Sequence, residues 1–215
     1  MEAQANPVRR GRQAEAERND RLVLEAARDV FATYGAAAPI AAVAERAGVG
    51  MGSLYRRYGS KSELLQRLCV LAMEEAIAAA EEGLANEDSW AGLAHYVRTS
   101  VGFRSGALAP LAGTIDTTPE MWKVARRGQR LIAKLVTRAH TTGALRPDVT
   151  ALDIAYLIEQ FGARRSTEPT DREDNVRRRL LAIALDGLRA RDAEPLPGIP
   201  PRAKDYEARW NTRSC

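Results

Sequence analysis

The sequence predicts an all-α protein. Apolar residues recur at helical spacing, and one run places them at i, i+3, i+7 and i+11: Trp90, Leu93, Val97 and Val101. Two Ser/Thr-x-x-acid patterns, Ser60 to Glu63 and Thr150 to Asp153, match the capping box that begins a helix. No segment alternates apolar and polar residues as a half-buried strand does. We therefore expect helices along most of the chain.

The composition is ordinary for a soluble globular protein, with 45% hydrophobic and 28% charged residues among 215. No apolar run approaches the roughly 20 residues that span a membrane, and the N-terminus lacks the apolar stretch of a signal peptide. We therefore expect a cytoplasmic protein that has no membrane partner. The formal net charge of +4 permits nucleic-acid binding without establishing it.

Residues 38–64 carry the clearest local pattern, two short helices followed at once by a longer one. The short helices are predicted at 39–46 and 51–58, and residues 47–50 form the turn between them. Gly48 can adopt a positive φ at little cost, which a sharp turn between helices often needs. From residue 46 to residue 61 there are four cations and no carboxylate, as suits a helix that lies among phosphates. This pattern is typical of a helix-turn-helix whose second helix enters the major groove.

The segments LEAARDVFATYG (24–35) and IAAVAERAGVGMGSLYRRYGSKSELLQRL (40–68) resemble the N-terminal domain of the tetracycline-repressor (TetR) family of transcriptional regulators. The resemblance covers about residues 18–70 and rests on three motifs: Phe31-x-x-x-Gly35, Ala-Gly-Val at 47–49 and Gly-Ser-Leu-Tyr at 52–55. It implies an N-terminal three-helix DNA-binding domain and a C-terminal helical ligand-binding and dimerisation domain. It also implies a response to a small-molecule effector, and a repressor rather than an activator. One short helix contacts few bases, so we expect a homodimer that binds a near-palindromic DNA operator.

Two positions depart from the family pattern. The family often begins its second helix with a hydroxyl residue, where this chain has Ala38, Pro39 and Ile40. It often has histidine just before the aromatic residue at Tyr58, where this chain has Arg57. The missing hydroxyl leaves an alternative open: a helical module that binds a small molecule or a protein and no longer binds DNA specifically.

The second short helix is expected to read DNA. Four residues near its start and middle are the candidates for contacts to base edges: Met51, Gly52, Tyr55 and Arg56. Contacts to phosphates are expected from a second set: Ser53, Tyr55, Arg57 and Lys61. An arginine suits guanine, because its guanidinium can donate two hydrogen bonds to that base. Leu54 and Tyr58 are expected to point into the core of the domain.

The chain divides into four predicted segments: a flexible basic arm (1–18), a helix-turn-helix DNA-binding domain (19–60), a helical regulatory and dimerisation domain (61–192) that begins with a connecting helix (61–83), and an extended C-terminal tail (193–215). The arm contains Arg9, Arg10 and Arg12, and it is either a solvated tail or a segment that contacts DNA. The first helix is predicted to begin near Asn19. The tail is expected to lie on the body through Tyr206 and Trp210.

The second domain is predicted to contain a helix that begins near residue 88, a loop with at most a short helix over 104–119, and helices over 118–142, 150–161 and 171–191. The last helix has an apolar stripe: Val176, Leu180, Ile183, Ala184 and Gly187. The family resemblance implies that the last two helices form the dimer interface. It also implies a small-molecule cavity, for which the candidate lining residues are Trp90, Tyr96, Phe103, Met121, Trp122, Tyr156 and Glu159. The alternative for each aromatic residue is a place in the ordinary hydrophobic core.

The sequence contains no recognisable motif of an enzyme or of a metal site. Gly-x-Ser-x-Gly, His-Glu-x-x-His and a Walker loop are absent, and no predicted strand precedes the glycines at 48, 50 and 52. His95 and His140 have no Cys or His partners at the spacing of metal ligands. We therefore expect no catalytic residue, no metal and no cofactor. Cys69 is either a small buried hydrophobic residue or a redox sensor.

Overall fold

The computed structural model describes residues 7–163, 170–191 and 194–210, which form nine α-helices and one 3₁₀ helix. The α-helices are α1 (Pro7–Tyr34), α2 (Ile40–Ala47), α3 (Met51–Tyr58), α4 (Lys61–Ala85), α5 (Ser89–Gly102), α6 (Pro119–Thr141), α7 (Ala151–Gly162), α8 (Asp171–Gly187) and α9 (Ala203–Ala208). The 3₁₀ helix, Ser105–Leu111, follows α5. Within these residues, the one β pairing is an isolated bridge between Leu145 and Arg189. The prediction of an all-α chain is confirmed.

The first helix is longer than predicted, because α1 begins at Pro7 rather than near Asn19. The prediction of a flexible arm over 1–18 is therefore wrong from Pro7 onward, and residues 1–6 lie outside the described residues. Proline is tolerated at the first position of a helix, where its missing N–H would have no partner. Residues 13–18 are Gln, Ala, Glu and Arg, which are strong helix formers and extend the helix toward the N-terminus.

The helix-turn-helix closely follows the sequence-based prediction. α2 begins at Ile40, and Pro39 is its N-cap rather than its first helical residue, because a ψ of 140° leaves Pro39 extended. Gly48 ends α2 with a φ of 66°, in the left-handed region that favours glycine. Its N–H donates to the carbonyl oxygen of Glu45, and the N–H of Val49 donates to that of Ala44. α3 has the predicted bounds.

The long helix α4 belongs to two hydrophobic cores. Its first half packs on α1, α2 and α3 around fully buried side chains: Phe31, Leu54, Leu64 and Leu68. Its second half packs with α5 to α8 around another set: Leu93, Val97, Leu135 and Ile154. The 3₁₀ helix and the start of α6 add Leu108, Leu111 and Met121 to the first core. The helix-turn-helix and the helices that follow it therefore share packed side chains.

The C-terminal part differs from the prediction in two places. α8 ends at Gly187, before the predicted end near residue 191. The tail is predicted to be extended, but its residues 203–208 form α9, and Tyr206 and Trp210 contact the body as expected. Within the described ranges, no helix is both long enough and apolar enough to cross a membrane.

α4 and α5 approach each other closely where two glycines, Gly83 and Gly92, face one another. A Cβ atom at Gly92 would lie 2.1 Å from the carbonyl oxygen of Gly83, and one at Gly83 would lie 2.6 Å from that of Gly92. The guanidinium of Arg138 holds the end of α4 at this point, because its Nη2 donates to the carbonyl oxygen of Gly83 at 2.9 Å.

Gly92→Ala should therefore destabilise the protein by about 1–3 kcal/mol, because the added methyl group must push two helix backbones apart. The matched control is Gly102→Ala, where a Cβ atom meets nothing within 4 Å. That variant should be neutral or slightly stabilised, since alanine is the better helix former. Urea unfolding of both variants measures the difference, and equal stabilities would show that this close approach tolerates a methyl group.

Candidate nucleic-acid interface and ligand cavity

α3 separates its side chains into an outward face and a buried face. Leu54 and Tyr58 are buried in the core, as predicted from their spacing. The six candidate contact residues on this helix are all exposed: Met51, Gly52, Ser53, Tyr55, Arg56 and Arg57. α3 carries no carboxylate, so its outward face combines backbone, hydroxyl and guanidinium groups without an acid that would repel phosphate.

Asp20 of α1 fixes the end of α3. Its Oδ1 accepts hydrogen bonds from Nε of Arg57 and from the hydroxyl of Tyr58. Burial raises the pKa of the Asp20 carboxyl, but these two hydrogen bonds outweigh the burial and hold that pKa below its ordinary value. Arg57 is predicted to contact phosphate. The structure pairs it with Asp20, and its exposed guanidinium keeps the N–H groups that this bond does not use.

Arg56 differs from its neighbour, since it forms no ion pair within the described part of the chain. Its side chain lies back along α3, and a Cβ atom at Gly52 would be 3.5 Å from its Nη1. The absence of a side chain at Gly52 leaves the backbone at the start of α3 open beside this guanidinium. Arg56 is therefore the cation of α3 that can turn toward a partner without breaking a contact.

Lys61 lies at the start of α4, just after α3. Its Nζ is 5.7 Å from the ring centroid of Phe31, so a cation–π contact holds the side chain on the surface of the first core. Ser60 caps α4, because its Oγ accepts the backbone N–H of Glu63 at 3.1 Å. This is one of the two bonds of the predicted capping box.

Asp29 of α1 links the helix-turn-helix to the residue that precedes the 3₁₀ helix. Its Oδ2 accepts from Nε and Nη2 of Arg46 in α2, at 2.9 and 2.7 Å, and its Oδ1 accepts from Nη1 of Arg104. Burial raises the pKa of Asp29, but the two guanidinium groups more than offset it and the net pKa is lowered. The neighbouring Arg28 donates to Phe103 O and to Glu75 of α4, both at 2.7 Å.

A cavity of about 220 Å³ opens between α4, α5, the 3₁₀ helix, α6 and α7. Its wall is mostly apolar, and α4 and α6 contribute both small and large side chains to it. Four of the seven predicted ligand residues line it: Tyr96, Met121, Trp122 and Glu159. Glu159 therefore faces inward, as its position on α7 suggested.

Three predicted ligand residues do not line the cavity. Trp90 is buried in the second core beneath the guanidinium of Arg189, 4.7 Å from its ring centroid. Phe103 is 44% exposed, because it ends α5 on the outer surface. Tyr156 is not part of the wall, although the neighbouring Ala155 is, and it contacts the ring of Tyr206, with centroids 5.4 Å apart. Helical periodicity alone could not separate these positions from the cavity wall.

The C-terminal segment closes one side of the cavity, which the sequence did not predict. Tyr206, Glu207 and Trp210 belong to the wall. The hydroxyl of Tyr206 donates to Oε1 of Glu159 at 2.8 Å, and Nη1 of Arg209 donates to Oε2 at 3.0 Å. Burial and the nearby Glu159 carboxylate raise the pKa of Tyr206, so this hydroxyl stays protonated as a donor. The aromatic residues of the C-terminal tail are the sequence feature that could have indicated this closure.

Cys69 also lies in the cavity wall, buried at the middle of α4. Burial raises the pKa of its thiol to about 12. The thiol is therefore protonated near neutral pH, which disfavours the redox-sensor alternative, because the thiolate is the reactive form. In the described ranges, no three His, Cys, Asp or Glu side chains lie close enough together to hold a metal ion.

Two family models match the chain over most of its length. The model for bacterial regulatory proteins of the tetR family matches residues 23–68, and the model for the C-terminal domain of SbtR-like transcriptional regulators matches residues 87–190. The chain belongs to the TetR family of bacterial regulatory proteins. It is a DNA-binding transcriptional regulator, and α3 is the second helix of its helix-turn-helix. Members of this family are not enzymes, which agrees with the expectation from the sequence.

Solved structures of other TetR-family regulators share the fold. A TetR transcription regulatory protein from Mycobacterium vanbaalenii is 27% identical, with a TM-score of 0.56 over 82% of this chain and 98% of that chain. A TetR transcriptional regulator from Streptomyces coelicolor is 22% identical, with a TM-score of 0.56 over 80% and 98%. The ketosteroid transcriptional regulator KstR2 of Mycobacterium tuberculosis is 20% identical, with a TM-score of 0.57 over 87% and 98%. The comparison with curated proteins gave no match.

Asp20→Asn should lower the free energy of unfolding by roughly 1–3 kcal/mol near neutral pH, because the amide holds Arg57 and Tyr58 less strongly than the carboxylate does. The folded pKa of Asp20 is lowered. Its contribution is therefore complete above the unfolded pKa of about 3.9 and is lost as the pH falls through the folded pKa. The difference in free energy of unfolding between wild type and Asp20→Asn should therefore become smaller over that acid range.

Urea unfolding at a series of pH values measures this difference. The control is Glu87→Gln, which neutralises an exposed carboxylate between α4 and α5. If the difference in free energy of unfolding stays constant from neutral pH down to the acid range, the role given to the Asp20 carboxylate is contradicted.

Proposed function

We propose that this protein is a ligand-responsive repressor that binds a near-palindromic operator as a homodimer. The observation that carries the proposal is the outward face of α3, which is acid-free and exposes Arg56 without an internal partner in the described part of the chain. α3 follows a glycine turn, and its opposite, buried face packs on a rigid support formed by α1 and α4. One short helix contacts few bases, so useful specificity calls for a second copy.

Within this proposal, Met51, Gly52, Tyr55 and Arg56 contact base edges, since they share the outward face near the start and middle of α3. Ser53 and Tyr55 position α3 on the phosphates. Arg57 does so with the N–H groups that remain beside its Asp20 bond. Lys61 also contacts phosphate, from the N-terminal turn of α4, where backbone N–H groups favour an anion as well.

The dimer proposal is supported by an apolar stripe on the outer face of α8. Val176, Leu180 and Ile183 are 48%, 51% and 65% exposed, and they follow one another at helical spacing. Leu181 and Leu185 point the other way into the second core. α8 is therefore apolar on two sides, although a monomer needs to bury only one. An exposed apolar stripe of this kind is typical of a surface that binds a partner.

Ligand response requires a physical link between the cavity and the reader helix. The 3₁₀ helix supplies Gly106, Leu108 and Ala109 to the cavity wall. Arg104 immediately precedes that helix and binds Asp29, which also holds Arg46 at the end of α2. A ligand that fits one shape of the cavity better shifts the population toward that shape. The contacts from the 3₁₀ helix through Arg104 and Asp29 to Arg46 transmit this shift. As a result, the helix-turn-helix changes its position relative to that of its dimer mate.

Selection of random duplex DNA by the purified protein, repeated at two salt concentrations, tests the proposal. We expect an enriched inverted repeat with two half-sites. Binding without any enriched sequence, weakened only by salt, would contradict a sequence-specific regulator. No binding at all would favour the helical module that no longer recognises DNA.

Arg56→Ala should weaken binding to the selected duplex by roughly 1–3 kcal/mol and relax the preference at one base step. Lys61→Ala should instead weaken all sequences alike and reduce the salt dependence, because it removes a phosphate contact. Arg126→Ala, at an exposed position on α6, is the matched control and should bind as wild type does. Titrations against the selected duplex and its single-base variants distinguish the cases. Uniform weakening by Arg56→Ala would exclude base reading by that residue.

Ile183→Glu should convert the proposed dimer to a monomer, because it places a charge in the centre of the apolar stripe. The control is Ile199→Glu, since Ile199 is also exposed but lies in the C-terminal segment. Sedimentation velocity of wild type and both variants reports the oligomeric state. A dimer that survives Ile183→Glu would place the interface elsewhere.

A further inference from the structure

A single positive charge is held at the edge of the cavity by a carboxylate and two aromatic rings. Besides its bond to Glu159, the guanidinium of Arg209 lies 5.4 Å from the ring centroid of Tyr156 and 5.3 Å from that of Tyr206. The two rings meet edge to face at 85°. Aromatic faces beside a carboxylate form a site that favours a cation of any chemistry, including a quaternary ammonium.

The charged site is continuous with the apolar cavity. Glu159 and Tyr206 belong to the cavity wall, and Arg209 lies just outside it. Among the described wall residues there are two carboxylates, those of Glu159 and Glu207, and no Lys or Arg. The electrostatics of the wall therefore disfavour an anionic ligand and favour a cationic one.

The burial of Glu159 determines what can replace Arg209. The Glu159 side chain is 11% exposed, whereas that of Arg209 is 32% exposed, so the guanidinium can leave toward solvent more easily than the carboxylate can. A buried carboxylate that loses its cation is destabilised strongly, because neither water nor another charge compensates it. A ligand that displaces Arg209 must therefore bring a positive charge of its own.

We propose that Glu159, Tyr156 and Tyr206 form the cation subsite of the effector cavity, that the effector is an amphipathic organic cation, and that Arg209 occupies its place in the free protein. The inference rests on the proposed ligand response. The ammonium group of the ligand replaces the guanidinium, and its apolar part enters the cavity. A cavity of about 150 Å³ accommodates benzene, so about 220 Å³ suits one aromatic ring with a short substituent.

Displacement of Arg209 also gives the ligand a path to the DNA-binding end. The backbone of Arg209 lies against the turn at Gly113, where an added Cβ atom would be 3.2 Å from its carbonyl oxygen. The next residue, Trp210, packs against the first core and also lines the cavity. A cation that moves Arg209 therefore disturbs the packing of Trp210 against the first core, which supports α3.

The test compares benzyltrimethylammonium with its neutral carbon isostere neopentylbenzene, using the full chain without DNA. Tryptophan fluorescence reports binding, because Trp122 and Trp210 line the cavity. Wild type should prefer the cation. Arg209→Met removes the internal competitor while keeping the length of the side chain, and it should strengthen cation binding about tenfold. Glu159→Gln should abolish the preference for the cation. The matched control Arg202→Met changes an exposed arginine of the same segment and should behave as wild type.

Neopentylbenzene binding shows whether the cavity itself survives in each variant. The proposal is overturned if Arg209→Met binds the cation no better than Arg202→Met does. It is also overturned if the cation-to-neutral preference is unchanged in Glu159→Gln, or if Arg209→Met binds neither compound. Because these assays contain no DNA, a protein that fails them but selects an inverted repeat keeps its proposed DNA function. A protein that passes them without selecting DNA keeps only the cation site.

Discussion

The ion pairs of the Asp29 carboxylate hold the helix-turn-helix and the second domain in position relative to each other. This carboxylate joins α1 to Arg46 of the helix-turn-helix and to Arg104 at the entrance of the 3₁₀ helix. Arg104 adopts a left-handed conformation with a φ of 58°, which is unfavourable for a residue with a side chain. Its Nε and Nη2 are buried and, within the described residues, have no hydrogen-bond partner. Without Asp29, this guanidinium would be a buried charge with no counter-ion, at a cost of about 3–5 kcal/mol.

The same part of α1 holds the second domain by a parallel contact. Arg28 binds Glu75 of α4 and the carbonyl oxygen at the end of α5, so consecutive residues of α1 reach both halves of the molecule. α4 adds a continuous packed connection, since it contributes to both hydrophobic cores. The helix-turn-helix is thus carried on a rigid support rather than on a flexible linker. In the proposed dimer, this support sets the distance between the two copies of α3, and the proposed effector acts on that distance.

The sequence predicts best the features that short-range physics determines. The bounds of α3, the burial of Leu54 and Tyr58, the positive φ of Gly48 and the capping box at Thr150 each depend on residues within a few positions of one another. Periodicity was less informative for the stripe on α8. It identified Val176, Leu180 and Ile183 as apolar, but only the structure shows that they face away from the monomer core.

Features that depend on distant residues were not predictable. Arg57 and Asp20 are far apart in sequence, so nothing in the local pattern indicates that the expected phosphate-binding arginine is already paired. The start of α1 was predicted too late, because Pro7 and the polar residues after it suggested a flexible arm. The Ala, Glu and Gln residues at 13–17 instead favour a helix. The closure of the cavity by Tyr206 and Arg209 depends on Glu159 of α7, and an aromatic tail does not by itself identify that partner.

The most direct test is the affinity of the protein for its selected operator and for the same operator with about five base pairs inserted at the centre. Half a turn of DNA places the two half-sites on opposite faces of the duplex. A dimer with rigidly supported reader helices should then bind no better than it binds a single half-site. Unchanged affinity would contradict the rigid support of α3 and show that the two helix-turn-helix units move independently.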